Sequence, residues 1–237
     1  MNNHPRVILI GGWGYPSESL YPLKAALDLH FNVSLLDACE CAGSSRLTDE
    51  IGDSEPCLLA GWSMGGMLAL QAAVASENLR GLVLISSTRR FFSLPDSSYG
   101  IPIANIRAMS AGLRRRPLDT MRGFYELSAS PHTMQRRDSE RQAEQALNAD
   151  TEKLRHGLGY LMQSDLSDCL SLISVPTIVL HGANDAVITI AAATELSDRL
   201  KDSKLRIRDA MGHDLPVRDT AWIAAEVLTF WKNRVAR

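Results

Sequence analysis

The sequence lacks any apolar run approaching the roughly 18–20 residues that span a bilayer, so a membrane-spanning protein is not expected. Its opening, MNNHPRVILIGGWG, has an apolar stretch at Val7–Ile10 too short for a secretory leader and runs straight into a strand-and-turn pattern. Cysteine is scarce. Cys39, Cys41, Cys57 and Cys169 form no C-x-x-C pair and have no histidine cluster beside them, which argues against a metal or redox site. Free thiols fit a reducing compartment, and cytoplasmic residence is the expectation. An excess of positive charge is also missing: the net charge is −2 and no nucleic-acid motif is present, so nucleic acid is not an expected partner. Internal repeats and low-complexity tracts are absent too, which excludes solenoids and disordered chains.

What the 237 residues do contain is alternation. Short apolar runs at Val7–Gly12, Val33–Asp37, Cys57–Trp62, Gly81–Ser87 and Thr177–Gly182 read as parallel strands buried on both faces. Lys204–Asp209 alternates and reads as an edge strand. Helical patterns fit between them at Ser19–His30, Met64–Ser76 and Ile190–Leu200, with a last one near Asp219–Val235. This predicts an α/β fold with a mostly parallel sheet of about six strands. Residues 89–170 break the rhythm. They read as helices at Ile103–Leu113, Leu118–Ser128, Thr133–Asn148 and Thr151–Gln163, so a core of 1–88 and 171–237 with a helical lid inserted after the fourth strand is expected.

At one strand–helix junction the chain reads Gly61-Trp62-Ser63-Met64-Gly65. This G-x-S-x-G pattern predicts a nucleophile elbow, a turn so tight that only glycines leave room on either side of the serine. Ser63 is the candidate nucleophile. A serine hydroxyl needs a base, and the base an orienting acid, in the chain order Ser, Asp or Glu, His. Of six histidines, His213 lies in the DAMGHDLP loop between the last strand and the last helix and is the candidate base. His4, His30, His132 and His156 lie in the terminus, a helix end or the lid, and His181 ends a strand where local packing or bonding is expected. Asp185, just past the strand Thr177–Gly182, is the candidate acid. Asp214 is its rival, and Asp165 and Asp168 fall in the lid region. The backbone N–H groups of Trp13 and Met64 are the candidate oxyanion hole, with the Trp13 indole as a wall of the acyl pocket.

In this order, GGWG, GWSMGG, LHGANDAVI and GHDLP resemble the α/β-hydrolase superfamily. Within it the chain resembles the pimeloyl-acyl-carrier-protein methyl ester carboxylesterases of biotin synthesis. RGFYELSASP at 122–131 and LRHGLGYLMQSDLSDCL at 154–170 are similar to lid helices of that family. The first strand ends Gly11-Gly12 where the family usually has His-Gly, and antiparallel strands that often precede it are missing, so a smaller sheet is expected.

The resemblance implies a serine esterase working through an acyl-enzyme on an acyl ester, without metal or organic cofactor. Phe91, Phe92, Phe124, Tyr125 and Leu127 are candidates for a pocket that takes a straight alkyl chain. Residues 89–170 carry 12 Lys and Arg against 10 acids, whereas the remainder carries 13 against 17. Arg114, Arg115, Arg116, Arg122, Arg136, Arg137 and Arg141 concentrate that charge. They are candidate contacts for an acidic acyl carrier protein, or simply a solvated helical face with internal ion pairs. Other readings stay open: a small-ester or lactone hydrolase, an acyltransferase with the same triad, or a non-enzymatic receptor of the same fold.

Overall fold

The strands form because their apolar runs can be covered on both sides. In the computed structural model, which describes residues 4–53, 55–95 and 99–236, β1 (Arg6–Ile10), β3 (Cys57–Trp62), β4 (Leu79–Ile85) and β5 (Thr177–Gly182) are almost wholly buried. β2 (Asn32–Leu36) and β6 (Ser203–Arg208) are partly exposed and lie at the two edges. The order is β2-β1-β3-β4-β5-β6, with every pair parallel. Residues 1–3, 54 and 237, in the expected two-part core, and 96–98, within the expected lid, fall outside the described residues.

β1 leads outward to β2, and the chain then returns to β3 on the other side of β1. In such sheets the crevice beyond the carboxyl ends of the strands at this reversal receives ligands. Each connection crosses one face of the sheet. α1 (Tyr21–Leu27), α2 (Ala38–Cys41) and α3 (Arg46–Ile51) precede β3, and α4 (Met64–Ala75) follows it. α4 is apolar on nearly every face, as a helix buried between sheet and neighbours must be. Four helices then run between β4 and β5: α5 (Ile103–Arg115), α6 (Pro117–Ala129), α7 (Arg136–Ala149) and α8 (Thr151–Gln163). α9 (Ile190–Arg199), α10 (Leu215–Arg218) and α11 (Thr220–Phe230) complete the chain.

Several boundaries differ from the sequence reading for local reasons. The helix expected from Ser19 begins as a 3₁₀ turn at Ser17–Leu20, and α1 starts only where Pro22 fits the first turn. The last helix turns from α to π geometry at Trp231–Val235. The short α2, α3 and α10 were not expected; each is too brief to show a 3.6-residue period.

The two ends of the helical segment between β4 and β5 are fastened together at its base. Leu166 N–H donates to the Arg89 carbonyl at 3.0 Å, and Arg90 pairs with Asp165 as an isolated antiparallel bridge. The buried Arg89 guanidinium reaches Glu195 on α9 at 2.6 Å, the Tyr99 hydroxyl at 2.6 Å and Asp165 at 3.4 Å, and it also donates to Ser167. Arg90 Nη1 donates to Asp165 at 2.9 Å. Burial pushes both carboxyls up, but hydrogen bonds from Ser167 and Arg90 at Asp165, and from Arg89 and Tyr99 at Glu195, outweigh it and hold both below their ordinary values.

Arg89→Met is expected to lower the unfolding free energy by about 2–3 kcal/mol at neutral pH. That is less than the roughly 3–5 kcal/mol of a fully buried pair, because Asp165 and Glu195 keep solvent contact. The two depressed carboxyls contribute fully above their ordinary values of 3.8 and 4.5, and that contribution is lost as pH falls through the lower folded values. The difference in urea unfolding between wild type and variant should therefore stay full above pH 4.5 and shrink only as pH falls below 3.8 toward the lower folded values.

Candidate active site

Ser63 follows the last residue of β3 and precedes the first of α4, with φ 55° and ψ −117°, a strained region for any side chain bearing a Cβ. The turn is held from both sides: Ser63 N–H donates to Ile85 O at 2.8 Å, and the Ser87 hydroxyl donates to Ser63 O at 2.8 Å. Glycine is obligatory around it. A Cβ on Gly61 would lie 2.3 Å from Gly65 O, and one on Gly65 would lie 2.4 Å from Gly11 O. The same close approach sets the loop after β1 against the elbow.

Three side chains from three strand ends meet here. His213 Nε2 is 3.0 Å from Ser63 Oγ, and His213 Nδ1 is 2.8 Å from Asp185 Oδ2. The other carboxylate oxygen of Asp185 accepts the N–H groups of Val187 and Ile188, each at 2.8 Å. The Trp62 indole donates to the His213 carbonyl at 3.0 Å and fixes that loop over β3. Burial pushes Asp185 up, yet the imidazole of His213 and these donors outweigh it, so the carboxyl lies below its ordinary value. Such a chain lets the hydroxyl pass its proton to the ring while the carboxylate faces the opposite nitrogen.

The rivals are engaged elsewhere. Asp214 pairs with Arg218 at 2.7 Å, its remaining oxygen has no hydrogen-bond partner among the described residues, and burial raises its pKa. Asp165 is bound to the arginines at the insert base, and Asp168 is exposed. His156 bonds the Ala42 carbonyl at 3.0 Å.

The backbone N–H groups of Trp13 and Met64 have no acceptor among the described residues, and a Cβ on Gly12 would lie 3.5 Å from the Ser63 Cβ. The insert grips this loop. The Trp13 indole donates to Leu154 O on α8 at 2.7 Å and meets Phe124 edge-on at 4.9 Å. The Tyr125 hydroxyl donates to Gly14 O. Tyr125 is fully buried and Phe124 packs on Trp13 and Tyr15, so both brace the loop where a pocket wall had been expected. Leu127, another pocket candidate, is 47% exposed and points away from the core. Phe91 packs on the Tyr99, Val187 and Ile188 cluster, and Phe92 lies under the Arg90 guanidinium. A cleft of about 240 Å³ opens beside the loop, lined by Gly12, Gly14, Tyr15, Asp37, Cys39 and Lys153, without Ser63. Ser63 itself is 6% exposed.

The arginines divide. Arg122, Arg136, Arg137 and Arg141 are tied to Asp119, Glu126, Glu140 and Asp138 within α6 and α7. Arg114, Arg115 and Arg116 are exposed and have no ion pair among the described residues. Among those residues, no helix is long and apolar enough to cross a membrane, and no group of three or more His, Cys, Asp or Glu could hold a metal ion.

The family described as serine aminopeptidase, S33, matches residues 33–220. A pimeloyl-[acyl-carrier protein] methyl ester esterase of Aromatoleum aromaticum is 29% identical over 236 residues, covering 89% of this chain and 92% of its own. One of Nitrosospira multiformis is 26% identical over 235 residues, covering 88% of each. Among solved structures, an esterase from Exiguobacterium antarcticum superposes with a TM-score of 0.84 at 18% identity, covering 98% of this chain and 94% of its own. A bromoperoxidase from Bacillus anthracis gives 0.86 at 18% identity, with 98% and 93% covered. The fold is that of the α/β-hydrolases.

Asp185→Asn is expected to lower kcat for p-nitrophenyl butyrate by about 10³–10⁴-fold with little change in KM, since an amide orients the ring but favours the wrong tautomer. Asp214→Asn should retain most of the rate. Steady-state kinetics of the two variants side by side check the assignment, and the opposite ranking would move the acid to Asp214.

Proposed function

The chain belongs to the serine aminopeptidase S33 family of hydrolases, and from that premise we propose that it is a serine carboxylesterase acting on the methyl ester of a pimeloyl group borne on acyl carrier protein. One observation carries the esterase reading: the continuous Ser63–His213–Asp185 chain, with spacings of 3.0 and 2.8 Å, at an elbow beside two unused N–H donors. Ser63 Oγ attacks the ester carbonyl while His213 Nε2 takes its proton. Asp185 holds the ring in the Nδ1–H tautomer and stabilises the imidazolium. The developing oxyanion is received by Trp13 and Met64 N–H at the start of α4. His213 returns the proton to the departing alkoxide, and the acyl group remains on Ser63. Water, activated by the same imidazole, then releases the acid. This chemistry needs no metal or organic cofactor, and a cytoplasmic location suits the free thiols.

In this reading residues 89–170 form a lid over a core of 1–88 and 171–237. Two features support it: Ser63 is almost covered, and the residue that ends α6 presses on the His213 loop so closely that a Cβ on Gly212 would lie 1.8 Å from Ser130 O. The carrier-bound substrate rests on the relatives' names and on the exposed Arg114–Arg116 cluster, which offers an acidic partner charge that no carboxylate among the described residues has neutralised. The arginines of α6 and α7 fit better as internal ion pairs. A small-ester or lactone hydrolase, or an acyltransferase, would use the same machinery on a different acyl group or acceptor.

The proposal is tested by hydrolysis of the carrier-bound methyl ester and by restoration of growth without biotin in a strain lacking its own pimeloyl-ester esterase. Replacing Arg114, Arg115 and Arg116 by Ala should lower kcat/KM on the carrier ester about tenfold, roughly 1.4 kcal/mol, and leave p-nitrophenyl butyrate unchanged. Added salt should reproduce the selective loss, since exposed charges are screened over about 8–10 Å. Arg136→Ala with Arg137→Ala should have a smaller effect. Equal loss on both substrates would make the triplet structural. Activity on p-nitrophenyl butyrate without activity on the carrier ester would leave the small-ester reading. Cleavage of aminoacyl amides in preference to esters would make the chain a peptidase.

A further inference from the structure

The acid loop contains a second histidine that the scheme above does not use. His181 is the fifth residue of β5 and is wholly buried. Its Nε2 is 2.9 Å from the Ile188 carbonyl, and because a carbonyl only accepts, that nitrogen carries the proton. The same Nε2 lies 3.6 Å from Asp185 Oδ2, the oxygen that faces His213. Its Nδ1 is buried with no hydrogen-bond partner among the described residues.

These contacts close a ring around the acid. Ile188 gives its N–H to Asp185 Oδ1 and its carbonyl to His181, so the turn from Gly182 to Ile188 is tied at its far end to the strand that begins it. On its near side the turn is fastened to the His213 loop by backbone as well as by the triad contact: Asn184 N–H donates to Met211 O at 2.9 Å, and a Cβ on Gly182 would lie 2.4 Å from the same carbonyl. Asp185 N–H is itself tied to the end of β5, donating to Gly182 O at 3.2 Å, but beyond Asp185 the turn makes no backbone bond to β5 among the described residues. There the imidazole supplies the tie and turns the positive end of an N–H dipole toward Asp185.

We infer that His181 is a positioning residue, whose Nε2–H holds the Ile188 carbonyl and thereby sets the distance and charge of Asp185 against His213. The inference rests on the triad proposed above. A residue present only for packing would be apolar, and Leu would fill the site without stranding Nδ1. The unsatisfied nitrogen marks a position where the donor on the other side of the ring is needed. Burial also holds the His181 pKa down, which keeps the ring neutral, and the Ile188 carbonyl keeps its one proton on Nε2.

The test compares His181→Leu, which removes the donor, with His181→Gln, whose amide can replace it, and runs Ser63→Ala and Asp185→Asn in parallel on p-nitrophenyl butyrate. His181→Leu should lose about tenfold in kcat with KM nearly constant, as when an outer partner of an oriented side chain is removed. The low-field proton resonance of His213 Nδ1–H against Asp185 should shift or broaden with it. His181→Gln should recover most of the rate and the resonance. Equal loss in both variants, or wild-type kcat and an unmoved resonance in His181→Leu, overturns the inference. If His181→Leu does not fold, nitrogen spectra of the wild type decide: His181 must show a neutral ring protonated at Nε2, and a charged ring or the Nδ1–H tautomer overturns it. Should Ser63→Ala and Asp185→Asn remain active, the triad itself fails, an outcome distinct from failure at His181 alone.

Discussion

Everything in the site is referred to the backbone of Ser63. A residue with a Cβ is held at φ 55° and ψ −117°, at a cost of order 1–3 kcal/mol, by two hydrogen bonds from the β4 end and by contacts that only glycine permits. Because Gly61 touches Gly65, and Gly65 touches the carbonyls of Ile10 and Gly11, strand, helix and first loop are locked at van der Waals distance. The hydroxyl therefore projects beyond the sheet at a fixed point. The loops that bring His213 and Asp185 need reach only that point, and parallel strands deliver them there because all their carboxyl ends lie on one side.

The helices between β4 and β5 hold the loops around that point. Tyr125 holds Gly14 by its carbonyl, Leu154 holds the Trp13 indole, and Ser128 accepts the Tyr15 hydroxyl and, through its carbonyl, the Asp214 N–H. The loop beside the elbow and the loop bearing His213 thus contact the same helix, α6. Movement of α6 changes both together, whereas Arg89 ties the base of the segment to Glu195 on α9 and Arg90 closes that base against Asp165. In the proposed reading this couples opening of the lid to the geometry of the oxyanion site, with the base as a fixed pivot.

What could be read from sequence depended on whether a feature is local. Cys57–Trp62 and Thr177–Gly182 were legible to the residue because continuous apolar runs bounded by turn residues state a buried strand directly. The elbow was legible because its geometry leaves glycine no substitute at two nearby positions. Ala38–Cys41 and Arg46–Ile51 were not, since four or six residues cannot display helical period; the Asp37 side chain that caps the first could equally have closed a turn. The roles of Tyr125, Leu154 and Ile188 were hidden for a different reason. Each acts through a contact made by folding, and for Leu154 and Ile188 the acting group is a backbone carbonyl, which every residue type carries. Arginine content spoke of charge, but only the placement of Glu140 and Asp138 showed which arginines are already paired.

The central claim is that Ser63 is an activated nucleophile, and covalent capture tests it most directly. A fluorophosphonate incubated with the folded protein should transfer its phosphonyl group to Ser63 Oγ with loss of fluoride. The adduct should be found by mass spectrometry on the peptide containing Gly61–Gly65, and it should be absent in Ser63→Ala and strongly slowed in His213→Gln. A label carried by another residue, or none on a folded wild-type chain, would contradict the account.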